Sequence, residues 1–144
     1  DPSGGSLSIQ GGTDQQNNGA FIDFAFDASL YTGINISWAG RGTSTGFGSA
    51  DAPNTLQWSI DGVNFVNFAT YESRQTSFQL YDFSAGGSLD LASNAIIRIV
   101  LDGAGSSTGN NRLDNIQITG TLIPTPGSAA ILGLAGLAAV RRRR

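Results

Sequence analysis

The chain predicts an all-β domain, an antiparallel β-sandwich of jelly-roll type with about eight strands, followed by a short C-terminal apolar helix of transmembrane type. Three observations predict it. Short runs in which apolar and polar residues alternate recur between turn-forming residues, and no part of the body carries a sustained 3.6-residue stripe. Glycine reaches 20 of 144 residues while only 13% of the chain is charged, a mixture rich in turn formers and poor in helix formers. Near the C-terminus the character changes abruptly, to an uncharged apolar stretch closed by four arginines.

Taken in order, residues 6–11 form the first expected strand. Ile22, Phe24 and Phe26 then alternate with Phe21, Asp23, Ala25 and Asp27, and Ile34, Ile36 and Trp38 with Asn35, Ser37 and Ala39. Leu56, Trp58 and Ile60 alternate with Gln57, Ser59 and Asp61. Each run presents one apolar face and one polar face, as a two-layer sandwich requires. Asp61-Gly62 predicts a tight hairpin turn into a strand over residues 63–70, with Gly62 taking the positive φ. Over residues 77–83, Phe78 and Leu80 share one phase, so Tyr81 is expected on the surface. The run 95–102 is apolar on both faces apart from Arg98, which predicts a central strand. Residues 112–120 supply the last strand. By phase Trp38 and Trp58 belong to the core, while Tyr31 and Tyr71 fall at strand ends. An immunoglobulin-like Greek key is the second topology that this spacing allows.

Three zones follow: a body over residues 1–121, a proline-containing hinge over 122–126, and a terminal segment over 127–144. The body opens on Asp1-Pro2 without an initiating Met, and an N-terminal part is expected to precede it. Of the eight basic residues, four are Arg141, Arg142, Arg143 and Arg144. The body therefore sets only Arg41, Arg74, Arg98 and Arg112 against eleven acids, a balance of about −7, and lacks the basic footprint that nucleic acid requires. No Cys, His or Lys occurs, which removes disulfides, thiolate and imidazole metal sites and most nucleophile–base pairs.

Carboxylates are the remaining chemistry. Asp23, Asp27, Asp51, Asp61, Asp82, Asp90, Asp102 and Asp114 are spread over strand ends and turns, where Asp commonly caps its own backbone, and no spacing singles out an acid pair for hydrolysis. The body is read as non-enzymatic. Oxygen-rich segments at 14–18 and 110–115 offer Asp14 and Asp114 as ligands for a calcium ion. The competing reading, turn chemistry with Arg112 and Asp114 paired locally, is the stronger one.

Residues 127–140 carry no charge and are apolar around the full helical circumference. Fourteen helical residues span roughly 21 Å, short of a bilayer core of ~30 Å, but counting from Leu122 brings the length close to a crossing. The arginine cluster marks the cytoplasmic side. The succession of Pro124-Thr125-Pro126, a short apolar helix and Arg141–Arg144 resembles a PEP-CTERM sorting domain. Thr125 stands where the usual motif carries Glu. The resemblance implies export in a Gram-negative bacterium that makes extracellular polysaccharide. It further implies a transient inner-membrane anchor and cleavage near the motif by an exosortase-type transpeptidase. The body, through segments such as 58–65 and 108–116, resembles the β-sandwich domains found ahead of such tails. The expected role is structural or adhesive at the cell surface or in the extracellular matrix. The alternative is a carbohydrate-binding module, with or without a structural Ca²⁺, which would need aromatic side chains on an exposed face.

Overall fold

The computed structural model describes residues 5–124. Eight strands appear: β1 (Leu7–Gln10), β2 (Phe21–Phe26), β3 (Tyr31–Gly42), β4 (Asn54–Ser59), β5 (Val66–Tyr71), β6 (Gln79–Ser84), β7 (Ala95–Val100) and β8 (Asn110–Leu122). They build two antiparallel four-stranded sheets, ordered β1-β8-β3-β6 and β2-β7-β4-β5. Every connection crosses from one sheet to the other except the β4–β5 hairpin. That alternation agrees with the jelly-roll expectation rather than with an immunoglobulin-like order, whose sheets hold several sequence-adjacent pairs. Thr125, Pro126, the apolar segment and Arg141–Arg144 lie outside the described residues. Among the described residues no helix is long and apolar enough to cross a membrane.

The core follows the alternation. Ile34, Ile36 and Trp38 of β3, Leu56 of β4, and Ala95, Ile97 and Ile99 of β7 are buried between the sheets. β7 lies between β2 and β4 in its sheet, the central place that its apolar run predicted. Beside these strands a second aromatic layer joins the sheets. The Trp38 ring packs edge-on against Tyr71 at 5.2 Å and stacks with Tyr81 at 5.4 Å and Phe83 at 5.6 Å. Tyr71 belongs to edge strand β5 of one sheet, and Tyr81 and Phe83 to edge strand β6 of the other, so this cluster closes one side of the sandwich. Burial, with the neighbouring Tyr81, pushes the Tyr71 phenol well above its usual range.

Four expectations are corrected here. Tyr81 points inward and donates its hydroxyl to Glu72 O at 3.0 Å, while Leu80 and Phe78 are exposed. The phase of β6 is set by its register on β3, where Tyr81 faces Trp38 and Phe83 faces Ile36. The strand expected from residue 63 starts at Val66. The Asp61 carboxylate accepts from Val63 N and Asn64 N, both at 2.8 Å, and from Asn64 Nδ2 at 2.7 Å, which draws these N–H groups out of the ladder. Those hydrogen bonds, led by Asn64, hold the Asp61 carboxyl far below the usual carboxylate range. With the chain turning there, Ile60 leaves the core face and is exposed, and Trp58 is half-buried. Gly62 does take the positive φ, at 74°. Arg112 and Asp114 do not pair; the ion pair among the described residues is Arg98–Asp23.

Candidate functional site

One polar row crosses the solvent face of the β2-β7-β4-β5 sheet. Asp23 of β2 stands opposite Arg98 of β7, Arg98 opposite Gln57 of β4, and Gln57 opposite Asn67 of β5. At ~4.8 Å per strand the row is about 14 Å long. Its outer end depends on a β-bulge. Between Leu56↔Ala69 and Gln57↔Asn67 the β5 strand carries one extra residue, Phe68, which packs on the core. In an unbroken register Phe68, not Asn67, would face Gln57. The bulge thus delivers an amide to the row and a ring to the interior.

The row is held as two pairs, Asp23–Arg98 and Gln57–Asn67. The Arg98 guanidinium holds Asp23 bidentately, with Nε to Oδ1 at 2.7 Å and Nη2 to Oδ2 at 2.8 Å. The same guanidinium lies 3.7 Å from the Phe21 ring centroid and 3.6 Å from that of Phe65, sandwiched between the two rings. Each stack is worth about 0.5–1 kcal/mol at a partly exposed site. Gln57 Nε2 donates to Asn67 Oδ1 at 2.8 Å, which leaves Gln57 Oε1 and Asn67 Nδ2 without an intramolecular partner among the described residues. Phe21 is 54% exposed and Phe65 half-buried, and neither joins the core. The face therefore offers aromatic surface flanking a row of fixed donors and acceptors.

The carboxylates singled out in the sequence are dispersed over other tasks. Asp27 accepts from Ser29 N, Asp90 from Gly33 N and Asp114 from Asn115 N, each at 2.8 Å, and Asp102 from Gly103 N at 2.7 Å. The bond to Ser29 lowers the Asp27 carboxyl below its usual range. Asp82 is hydrogen-bonded by Asn35. Asp14 sits in a 3-10 turn, Thr13–Gln15, at φ 51°. Neither Asp14 nor Asp114 belongs to a group of three or more His, Cys, Asp or Glu side chains among the described residues. Tyr31 lines a cleft of about 410 Å³ at one end of the sandwich with Phe26, Ile34, Ile118 and Gly120.

The sequence held two signals for the polar row. Arg98 is the one polar residue in an apolar central strand, and Phe21 is the one aromatic in the polar phase of β2. Their meeting was not visible, because Phe65 reaches the row only through the shape of the β4–β5 loop.

No family model matches the chain, and no curated protein matches it. Among solved structures, eleven chains match. One, TmCBM61, solved in complex with beta-1,4-galactotriose, is 11% identical, covers 81% of this chain and 82% of its own, and has a TM-score of 0.44. Another, described as family 16 carbohydrate binding module-2, is 12% identical over 81% of this chain and 79% of its own, with a TM-score of 0.42.

Proposed function

We propose that the sandwich is a non-catalytic glycan-binding module that recognises an uncharged polysaccharide on the solvent face of β2-β7-β4-β5. The observation that carries this is the row Asp23–Arg98–Gln57–Asn67 held beside the rings of Phe21 and Phe65. A pyranose presents an apolar face and a rim of hydroxyls. Aromatic carbon covers the first, and the unsatisfied oxygen of Gln57 and amide hydrogens of Asn67 match neighbouring hydroxyls of the second. The row is preorganised, so little side-chain freedom remains to be lost on binding. Because Asp23 already neutralises Arg98, this face selects neutral sugars. Glycan-array binding followed by titration tests the proposal. The Phe21→Ala/Gln57→Ala variant is expected to weaken the best glycan by about 10-fold or more, the sum of one lost stacking surface and one lost hydrogen-bonding group. A wild-type protein that binds no glycan, or a variant that binds as tightly, would sink it.

The reading of the chain as an exported substrate of an exosortase-type transpeptidase stands beside this one. One structural fact favours it. Among the described residues, the last backbone bond of the sandwich is Ile123 N to Leu30 O, at 2.8 Å, directly before Pro124. A cut at or after the Pro124-Thr125-Pro126 hinge would then release the whole domain undamaged to the envelope. Intact mass and C-terminal sequencing of the protein from its native host should show an end near residues 124–127. A chain ending at Arg144 in mature material would dismiss this reading.

A further inference from the structure

The opposite face of the molecule carries a different constellation. Arg41 of β3 and Arg112 of β8 are direct register partners. Both lie on the solvent side, since Gly40 and Leu113, their neighbours in the same ladder, are buried. Like charges directly opposite on adjacent strands repel and destabilise a sheet. Here the repulsion is retained in a body where acids outnumber arginines almost three to one. The other two body arginines are satisfied. Arg98 holds Asp23, and Arg74 donates to Gly46 O at 2.9 Å and to Gly103 O. Arg41 reaches only the backbone oxygen of Thr76, at 3.4 Å, and Arg112 has no hydrogen-bond or ion-pair partner among the described residues. Asp114, on the same face and two residues along β8, engages Asn115 N instead.

The row continues on both sides of the pair. Ser8 of β1 is the register partner of Arg112 and adds a hydroxyl. Beyond Arg41, the Phe78 ring centroid lies 5.4 Å from the Arg41 guanidinium carbon, and Phe78 is 45% exposed. Two forked cations on adjacent strands can each meet a carboxylate of a polymer, the aromatic surface fits the apolar face of a ring, and the hydroxyl fits a ring substituent. A sugar that combines all three is a hexuronic acid. We propose that the Ser8–Arg112–Arg41–Phe78 row binds the carboxylates of a polyuronate, a second site whose ligand chemistry differs from that of the neutral face across the sandwich.

The test is titration of the full chain with polygalacturonate, with dextran and inorganic sulfate as comparison ligands. Polygalacturonate binding should fall about 10-fold or more in Arg41→Gln/Arg112→Gln, and by less in Arg41→Lys/Arg112→Lys, which keeps the charges but loses the forks. It should also weaken between about 20 mM and about 500 mM salt, as an exposed ion pair does. A thermal melt accompanies each variant. Removal of the like-charge pair should leave the melting temperature unchanged or raised at low salt, which separates lost binding from lost fold. Wild-type protein that fails to bind polygalacturonate, or a Gln variant that binds it equally, would overturn the proposal. Sulfate competing as well as polygalacturonate at equal anion concentration would reduce the site to a bare anion site and overturn its uronate assignment. Because the readout uses only the acidic polymer, failure of the neutral-glycan face leaves it untouched.

Discussion

Replacing Asn111 by Ala is expected to destabilise the domain by about 3–4 kcal/mol, a large share of the ~5–15 kcal/mol that holds a domain of this size. Asn111 is buried at the start of β8 and ties three separate chain segments together. Its Oδ1 accepts from Phe47 N at 2.8 Å, and its Nδ2 donates to Phe47 O at 3.3 Å and to Ser73 Oγ. Ser73 Oγ in turn donates to Phe47 O at 3.0 Å and accepts from Asn54 Nδ2 at 2.8 Å, while Asn54 Oδ1 accepts from Asp102 N at 3.2 Å. Phe47 thus has both its backbone groups satisfied by side chains instead of by a strand partner. Truncation to Ala would strand Phe47 N–H in the interior and leave a void, each with its own cost. Urea denaturation at constant m-value measures the loss. A midpoint within the error of wild type would mean that water satisfies the orphaned groups. Gly46 and Gly109 belong to the same arrangement. A Cβ on Gly46 would collide with Asn111 Oδ1, and one on Gly109 with Thr45 O, so both sites need the bare backbone.

The strands were legible because one face of each is buried, and burial writes a period of two into the sequence. β2 and β3 carry that period and lie where it placed them, and β7, apolar on both faces apart from Arg98, takes the central place that its run predicted. The exceptions share a physical cause. In β6, Leu80 and Tyr81 are both large and adjacent, so pattern alone cannot choose which faces inward; Trp38, on the neighbouring strand, makes the choice by stacking on Tyr81. At the β4–β5 connection the Asp61 side chain competes with the ladder for Val63 and Asn64, a local contest that hydropathy does not register. Strand order was not legible at all, since strands that pair, such as β1 with β8 and β2 with β7, are far apart in sequence.

The polar row was legible in its parts and not in its assembly. An arginine inside a central apolar strand has to find a solvent face and a counter-charge, and Asp23 in the polar phase of β2 is the acid on the adjacent strand. What the sequence could not supply was the bulge at Phe68. A one-residue slip exchanges the two faces of a strand, so whether Asn67 or Phe68 meets Gln57 hangs on a feature with no composition signal. The Arg41–Arg112 pair is hidden for a related reason. The two residues are 71 positions apart in sequence, and only the β3–β8 register, itself shifted by irregularities at Thr32/Asn35 and Ser37/Ala39, makes them neighbours.

Trp38→Ala is expected to be the most damaging single truncation in the core, at about 3–5 kcal/mol. The ring is 1% exposed and is the shared partner of Tyr71, Tyr81 and Phe83. Those three side chains come from the two edge strands that face each other across the sandwich, where no backbone ladder joins the sheets. Loss of the indole removes the contact that both edges make in common, and the remaining Tyr71–Tyr81 and Tyr71–Phe83 contacts, at 5.0 Å and 5.8 Å, cannot fill the space it leaves. Trp58→Ala provides the comparison within the same protein. That ring is half-buried and makes none of these aromatic contacts, so a smaller loss is expected from the same change of residue. Equal midpoints for the two variants in chemical denaturation would show that the aromatic layer does not join the sheets. If Trp38→Ala is the less stable of the two, the closure of the sandwich along β5 and β6 rests on this side-chain packing, with the Tyr81 hydroxyl bond to Glu72 O beside it.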